Sequence, residues 1–236
     1  RRSCGRLARQ VARFSPSRLV LLERSEPALY TIDRELREAW PSLSIVAVVG
    51  DVGDRERMLA VFREVRPQVV AHAAAHKHVP LMETNATEAV KNNVLGSLTL
   101  GEVAGECGVE AFILISTDKA VRPSSVMGAT KRVAELVVQG LGHRFATRYV
   151  AVRFGNVLGS AGSDAKRMIE LSGHRRSGEI DIVFTGVRPG EKLFEELQYG
   201  GDAIDKTRHP KIFVGKIAGV PASELSAALS SLRGLA

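Results

Sequence analysis

Residues 111–120 read Ala111-Phe112-Ile113-Leu114-Ile115-Ser116-Thr117-Asp118-Lys119-Ala120. Five apolar residues without alternation predict a strand covered on both faces, as in a parallel sheet. The polar run Ser116-Thr117-Asp118-Lys119 then stands at the carboxyl end of that strand, where open parallel sheets carry their functional side chains. Working outward, the same pattern recurs. Strands are predicted at 18–22, 45–49, 69–73 and 149–154, with 111–116 between the last two. Helices are predicted at 7–14, 55–65, 88–107 and 128–138; Met58, Leu59, Phe62 and Val65 have the spacing of one helix face. Apolar strands alternating with helices predict an α/β fold, a Rossmann-like doubly wound parallel sheet. Beyond Gly155 the pattern loosens. Short helices are expected at 166–171 and 193–197, strands at 180–184 and 212–214, and a last helix at 222–232.

Composition fits this picture. The chain has 236 residues, 44% hydrophobic and 25% charged, which excludes a disordered or collagen-like polymer. No apolar run approaches membrane-spanning length. Two cysteines, Cys4 and Cys107, make no disulfide framework, so a reducing cytoplasm is expected. The net charge of +7 is spread along the chain; it favours an anionic ligand and gives no nucleic-acid signature. His72, His76 and His78 run from a strand into a loop, without the closed tetrahedral spacing of a metal site, and no metal is expected.

Twelve residues after Lys119 comes Lys131, in Met127-Gly128-Ala129-Thr130-Lys131. Short-chain dehydrogenases set a tyrosine and a lysine at i and i+4 on one helix face in this place. Here the tyrosine position is Met127, whose thioether carries no proton. A core methionine with a surface lysine is the other reading of the same spacing.

The ordered set of motifs widens the likeness. Ala73-Ala74-Ala75-His76-Lys77-His78-Val79-Pro80, Asn92-Asn93-Val94-Leu95-Gly96, the Ser116–Ala120 stretch, Val126–Arg132, Val152-Arg153-Phe154-Gly155-Asn156 and Arg188-Pro189-Gly190-Glu191-Lys192-Leu193 follow in one order. The chain resembles the CapD-like polysaccharide biosynthesis proteins. These are UDP-N-acetylglucosamine 4,6-dehydratases of the extended short-chain dehydrogenase superfamily, some with methionine at the tyrosine position. The resemblance implies NAD or NADP as cofactor, a UDP-sugar substrate, a homo-oligomer and a parent anchored at the inner face of the plasma membrane.

The same resemblance implies roles. Asp118 is the acid that protonates the departing C6 hydroxyl and Lys119 the base at C5. Thr117 holds the C4 hydroxyl and Lys131 the nicotinamide ribose. Glu23 binds the adenosine ribose, which favours NAD, while Arg24 beside it suits a 2′-phosphate and NADP. Asp51 and Val52 frame the adenine, and Ala73, Ala74 and Ala75 let the backbone pass close to the cofactor. Lys77, His78, Asn156, Arg188 and Glu191 fall to the substrate. Residues 1–160 are then expected to be the dinucleotide-binding unit and 161–236 a reduced substrate lobe.

Two family pieces are expected to be missing. One is the opening strand and glycine-rich loop, of which Gly5 alone stands in place; the other is a stretch of the substrate region after Ser163. A fragment, a deletion and a degenerate relative each account for both. The rival functions are a non-catalytic nucleotide-sugar-binding remnant and a nucleotide-sugar 4-epimerase.

Overall fold

The computed structural model describes residues 3–155, 190–192, 194, 196–197, 204–215 and 219–235. The helix and strand expected at 166–171 and 180–184, with Asn156 and Arg188, lie outside the described residues. The chain opens with α1 (Ser3–Ala12) and continues with β1 (Leu19–Glu23), α2 (Glu26–Ala39), β2 (Ile45–Val49), α3 (Arg55–Val65) and β3 (Val69–His72). Two short helices, α4 (Val79–Glu83) and α5 (Ala86–Ala89), and a π-helical turn at Val90–Leu95 lead into α6 (Gly96–Glu106). Then come β4 (Ala111–Ile115), a 3₁₀ turn (Asp118–Ala120), α7 (Val126–Leu141) and β5 (Arg148–Val152). The later residues add β6 (Ile204–Lys206), β7 (Phe213–Gly215) and α8 (Ala222–Leu235).

All pairings among β1 to β5 are parallel. β1 pairs with β2, and β4 lies between β3 and β5. The two parallel pieces share one core. Val20, Leu22, Val46 and Val48 from the first join Val70, Phe112, Leu114 and Ala151 from the second, closed by Met58 and Phe62 of α3 and Leu100 and Val103 of α6. Phe112 sits at its centre, its ring centroid 5.9 Å from His72 and 5.5 Å from Tyr149. The doubly wound expectation holds in this arrangement of parallel strands and packed helices.

The helix α2 was not among the predicted elements. Its apolar positions Leu29, Ile32 and Leu36 keep helical spacing and pack with Leu21 and Ile45, but dense charges between them dilute the signal. The helix predicted over 88–107 carries the π turn within it, where one extra residue shifts the apolar stripe. The described residues of 193–197 are not helical. Phe194 and Leu197 there are exposed, so no apolar face is buried to stabilise a turn. β6 and β7 form an antiparallel pair, and α8 lays Leu225 and Leu229 against Leu98, Val137 and Leu141. No described helix is long and apolar enough to cross a membrane.

Candidate active site

β4 ends at Ile115, and the chain turns at once. Ser116 still follows the ladder, its N–H donating to the Val152 carbonyl at 2.8 Å. Thr117 is extended and caps the 3₁₀ turn. Asp118, 3% exposed, is held by its own N–H on the Phe154 carbonyl at 3.3 Å. Its Oδ1 takes three donors: the Thr117 hydroxyl at 2.8 Å, the Lys119 N–H at 2.8 Å and the Lys119 ammonium at 3.2 Å. Its Oδ2 faces Gly155, where a Cβ would lie 3.3 Å away. A carboxylate and an ammonium are thus adjacent, in direct contact and at a strand end.

α7 supplies the third group. Ser125 caps it, its hydroxyl accepting from the Gly128 N–H at 3.1 Å, and a Glu83 carboxylate oxygen accepts from the Val126 N–H at 2.8 Å. Two turns in, Lys131 is 5% exposed, not a surface lysine. Its ammonium donates to the Ile115 carbonyl at 2.6 Å, so it sits at the carboxyl end of β4. Burial lowers its pKa to about 8, with the charge of Glu135 acting the other way. Met127 is 3% exposed and packs with Val79, Met82 and Ala89. Met127→Tyr is therefore expected to overpack this cluster and cost roughly 1–3 kcal/mol. A thermal melt reads this loss; kcat/KM against pH, taken beside it, reads any catalytic role, because a tyrosine there adds a titrating hydroxyl and a changed profile.

The carboxyl ends of β1 and β2 bring Glu23, Arg24 and Asp51 together. A Glu23 carboxylate oxygen accepts from the Ser25 N–H at 3.0 Å, and Arg24 pairs with Asp51 at 3.3 Å. Val52 is buried under Gly96. Ala73 to Ala75 follow β3, half-buried. The next residue is clamped by a side chain to which the sequence assigned no role: Asn93 accepts from the His76 N–H at 2.8 Å and donates to its carbonyl at 3.0 Å and to Thr130 at 3.0 Å. Asn93 lies in the π turn, and its pairing with a loop seventeen residues back has no periodic signature. His72 is buried with Nε2 2.9 Å from the Ser97 hydroxyl, and burial together with the Lys131 charge lowers its pKa to about 3. Among the described residues no three His, Cys, Asp or Glu side chains gather as metal ligands.

Lys77 and His78 are exposed and lead into α4, whose Val79 and Met82 pack against Met127 of α7. Glu191 is exposed, but its neighbours dock on the loop before α7. The Lys192 ammonium donates to the Val121 carbonyl at 2.7 Å, and the Ser124 hydroxyl to the Gly190 carbonyl at 3.3 Å. Gly190 has φ +82°, and a Cβ there would lie 2.9 Å from Ser125 Cβ, so the Arg188-Pro-Gly motif needs its glycine.

A sequence profile of the family described as polysaccharide biosynthesis protein matches residues 3–164 and 163–217, two segments that meet at Ser163-Asp164. The capsular polysaccharide biosynthesis protein CapD of Staphylococcus aureus is 38% identical over 274 positions, covering 89% of this chain and 46% of that protein. That alignment is longer than the 236-residue chain, so the relative carries inserted residues. A UDP-N-acetylglucosamine 4,6-dehydratase (inverting) of Campylobacter jejuni is 30% identical, over 92% of this chain and 64% of its own. Among solved structures, Pen from Bacillus thuringiensis superposes with a TM-score of 0.62 at 29% identity, over 68% of this chain and 49% of that one. The chain spans about half the length of the first two kinds of match, CapD and Pen. The motif order, the parallel strands and the profile lead to one assignment: the chain belongs to the polysaccharide biosynthesis protein family, among the CapD-like members of the extended short-chain dehydrogenases.

Proposed function

We propose that this chain carries the catalytic core of a nucleotide-sugar 4,6-dehydratase that converts UDP-N-acetylglucosamine to a UDP-4-keto-6-deoxy sugar for surface polysaccharide. The observation that carries the reading is the Asp118–Lys119 contact at the end of β4 with the Lys131 ammonium beside the same strand end. An acid and a base in contact are what removal of water from adjacent carbons requires.

The residues present fit a dinucleotide. Glu23 sets a carboxylate at one strand end for the ribose hydroxyls, Asp51 and Val52 stand at the neighbouring strand end to frame the adenine, and Ala73–Ala75 present backbone without bulk. Lys131 offers a cation for the second ribose. When bound, NAD or NADP supplies the hydride acceptor and donor that let C4 be oxidised and C6 be reduced. In this reading 1–160 is the dinucleotide-binding unit and 161–236 part of the substrate lobe.

The chain's own residues handle protons. Thr117 receives the C4 hydroxyl. Bound substrate shuts the 3.2 Å pair from water, which disfavours both charges, so that Lys119 acts as a neutral amine and Asp118 as an acid. With a ketone at C4, the amine takes the C5 proton while the acid protonates the C6 hydroxyl. Water departs and a C5–C6 double bond forms. Lys119 then returns a proton to C5 as C6 is reduced, and the proton released from the C4 hydroxyl restores the one Asp118 gave up. Mass spectrometry after incubation with UDP-N-acetylglucosamine and NAD tests the proposal. Loss of water is the expected result. Unchanged mass with altered stereochemistry marks a 4-epimerase, and an untouched substrate marks a binding remnant; either overturns it.

A further inference from the structure

One turn beyond Lys131, α7 carries a carboxylate to which the motifs assign no task. Glu135 is 1% exposed and receives four hydrogen bonds. Its Oε1 accepts from the Ser116 hydroxyl at 2.7 Å and from Arg153 Nε at 2.8 Å; its Oε2 accepts from Arg153 Nη2 at 2.6 Å and Arg132 Nη1 at 3.1 Å. The Arg153 contact is a two-pronged fork, the geometry that fixes both partners. Each donor belongs to a segment that the chemistry uses. Ser116 opens the Thr117-Asp118-Lys119 run, Arg153 follows β5, and Arg132 adjoins Lys131. One carboxylate therefore ties the helix of Lys131 to the ends of β4 and β5.

Stability does not account for it. Burying an ion cluster costs desolvation of the order of what its attractions return, and well-packed apolar replacements are often as stable or more so. We propose that Glu135 is a positioning residue, holding the Lys131 ammonium and the Thr117–Lys119 segment in fixed relation at the carboxyl end of the sheet. The proposal rests on the roles assigned above to those residues.

The electrostatics point the same way. Burial pushes the Glu135 carboxyl up, but the hydrogen bonds from Arg153, Ser116 and Arg132 and the Arg153 charge outweigh it, and the group stays below the usual carboxylate range. Among the described residues the charged and titratable groups about Lys131 are then few. They are His72 on β3, held neutral by burial, and Glu135 and Arg132 on its own helix. Arg153 stands after β5, and the Asp118–Lys119 pair lies on the 3₁₀ turn packed against α7. Without Glu135 the two arginines lose their counter-charge and the ammonium of Lys131 is disfavoured.

The test is a lysine side-chain NMR titration of the 236-residue chain, with Lys131 assigned through Lys131→Arg, and amide exchange of residues 116–119 read in parallel. In Glu135→Gln the Lys131 midpoint is expected to fall by about one pH unit or more, the size of effect a close opposite charge exerts. Exchange at 116–119 is expected to rise by about tenfold or more as the segment loosens. If Glu135→Gln fails to fold, the double change Glu135→Leu with Arg153→Met decides, since it removes both sides of the buried fork together. It should fold and still show both changes. A folded variant with the Lys131 midpoint and the exchange of 116–119 unaltered would overturn the proposal and leave Glu135 as packing alone. The titration needs neither substrate nor cofactor, so its failure is distinct from a failure of the dehydration assay.

Discussion

Asp118→Asn and Lys119→Ala will each lower dehydration of UDP-N-acetylglucosamine by about 10²–10⁴-fold, the contribution of one positioned proton-transfer group. The two changes should fail at different points. Asparagine keeps an oxygen where Asp118 Oδ1 accepts from Thr117, from the Lys119 N–H and from the Lys119 ammonium, so the turn should persist. It has no proton to give the C6 hydroxyl. Asp118→Asn should therefore retain exchange of the C5 proton with solvent deuterium while water loss stops. Lys119→Ala removes the base itself, and exchange should stop with it. Deuterium incorporation at C5, followed by mass spectrometry of recovered nucleotide sugar, separates the two. Undiminished exchange in Lys119→Ala takes Lys119 out of the base role. Normal water loss in Asp118→Asn reduces Asp118 to a hydrogen-bond acceptor that shapes the turn.

The parts of this site that lie along one segment were legible in the sequence, and the parts made by contact between segments were not. Residues 111–119 announce a buried strand with polar groups at its end, and β4 and its turn follow that pattern. Lys131 was legible by spacing, but its burial was not. Spacing alone allowed a surface lysine, and it is the packing of α7 on β4 that brings its ammonium to the Ile115 carbonyl. Glu135 did leave a trace. It falls with Lys131 on the stripe of Met127, Ala134, Val138 and Leu141, and a charge on a buried stripe must find a partner. The partners themselves, Ser116 and Arg153, are nineteen and eighteen residues away in the chain, and only the fold joins them. The Asn93 clamp on His76 was hidden for the same reason, with a π turn further blurring its helix.

Gly128 shows how closely that fold constrains the chemistry, and Gly128→Ala is expected to lower turnover by about 10²-fold. Two effects oppose each other at this position. Alanine is the better helix former by about 1 kcal/mol, which favours the variant. But a Cβ at 128 would lie 2.4 Å from the Lys119 carbonyl oxygen, with the Ser125 hydroxyl at 3.1 Å and Pro123 Cβ at 3.2 Å. The nearest of these is backbone, not the end of a flexible side chain, so either α7 or the 3₁₀ turn must move. The turn is fixed at its start by Asp118 on the Phe154 carbonyl and beyond its end by Lys192 on the Val121 carbonyl. Displacement therefore falls on Lys119 and on the first turn of α7, and overpacking of this kind costs roughly 1–3 kcal/mol. The clash wins over propensity, and the loss of rate exceeds the loss of stability because a shift of about 1 Å is enough to misplace a base. Gly234→Ala in α8 is the matched control. Nothing lies within 4 Å of its Cβ, so it should gain up to about 1 kcal/mol and leave turnover unchanged. Melting temperature and dehydration rate, measured for both variants beside the parent, decide the matter. Full turnover with alanine at 128 would mean that the Lys119 backbone can yield without moving the reacting groups, and would separate this turn from the chemistry assigned to it.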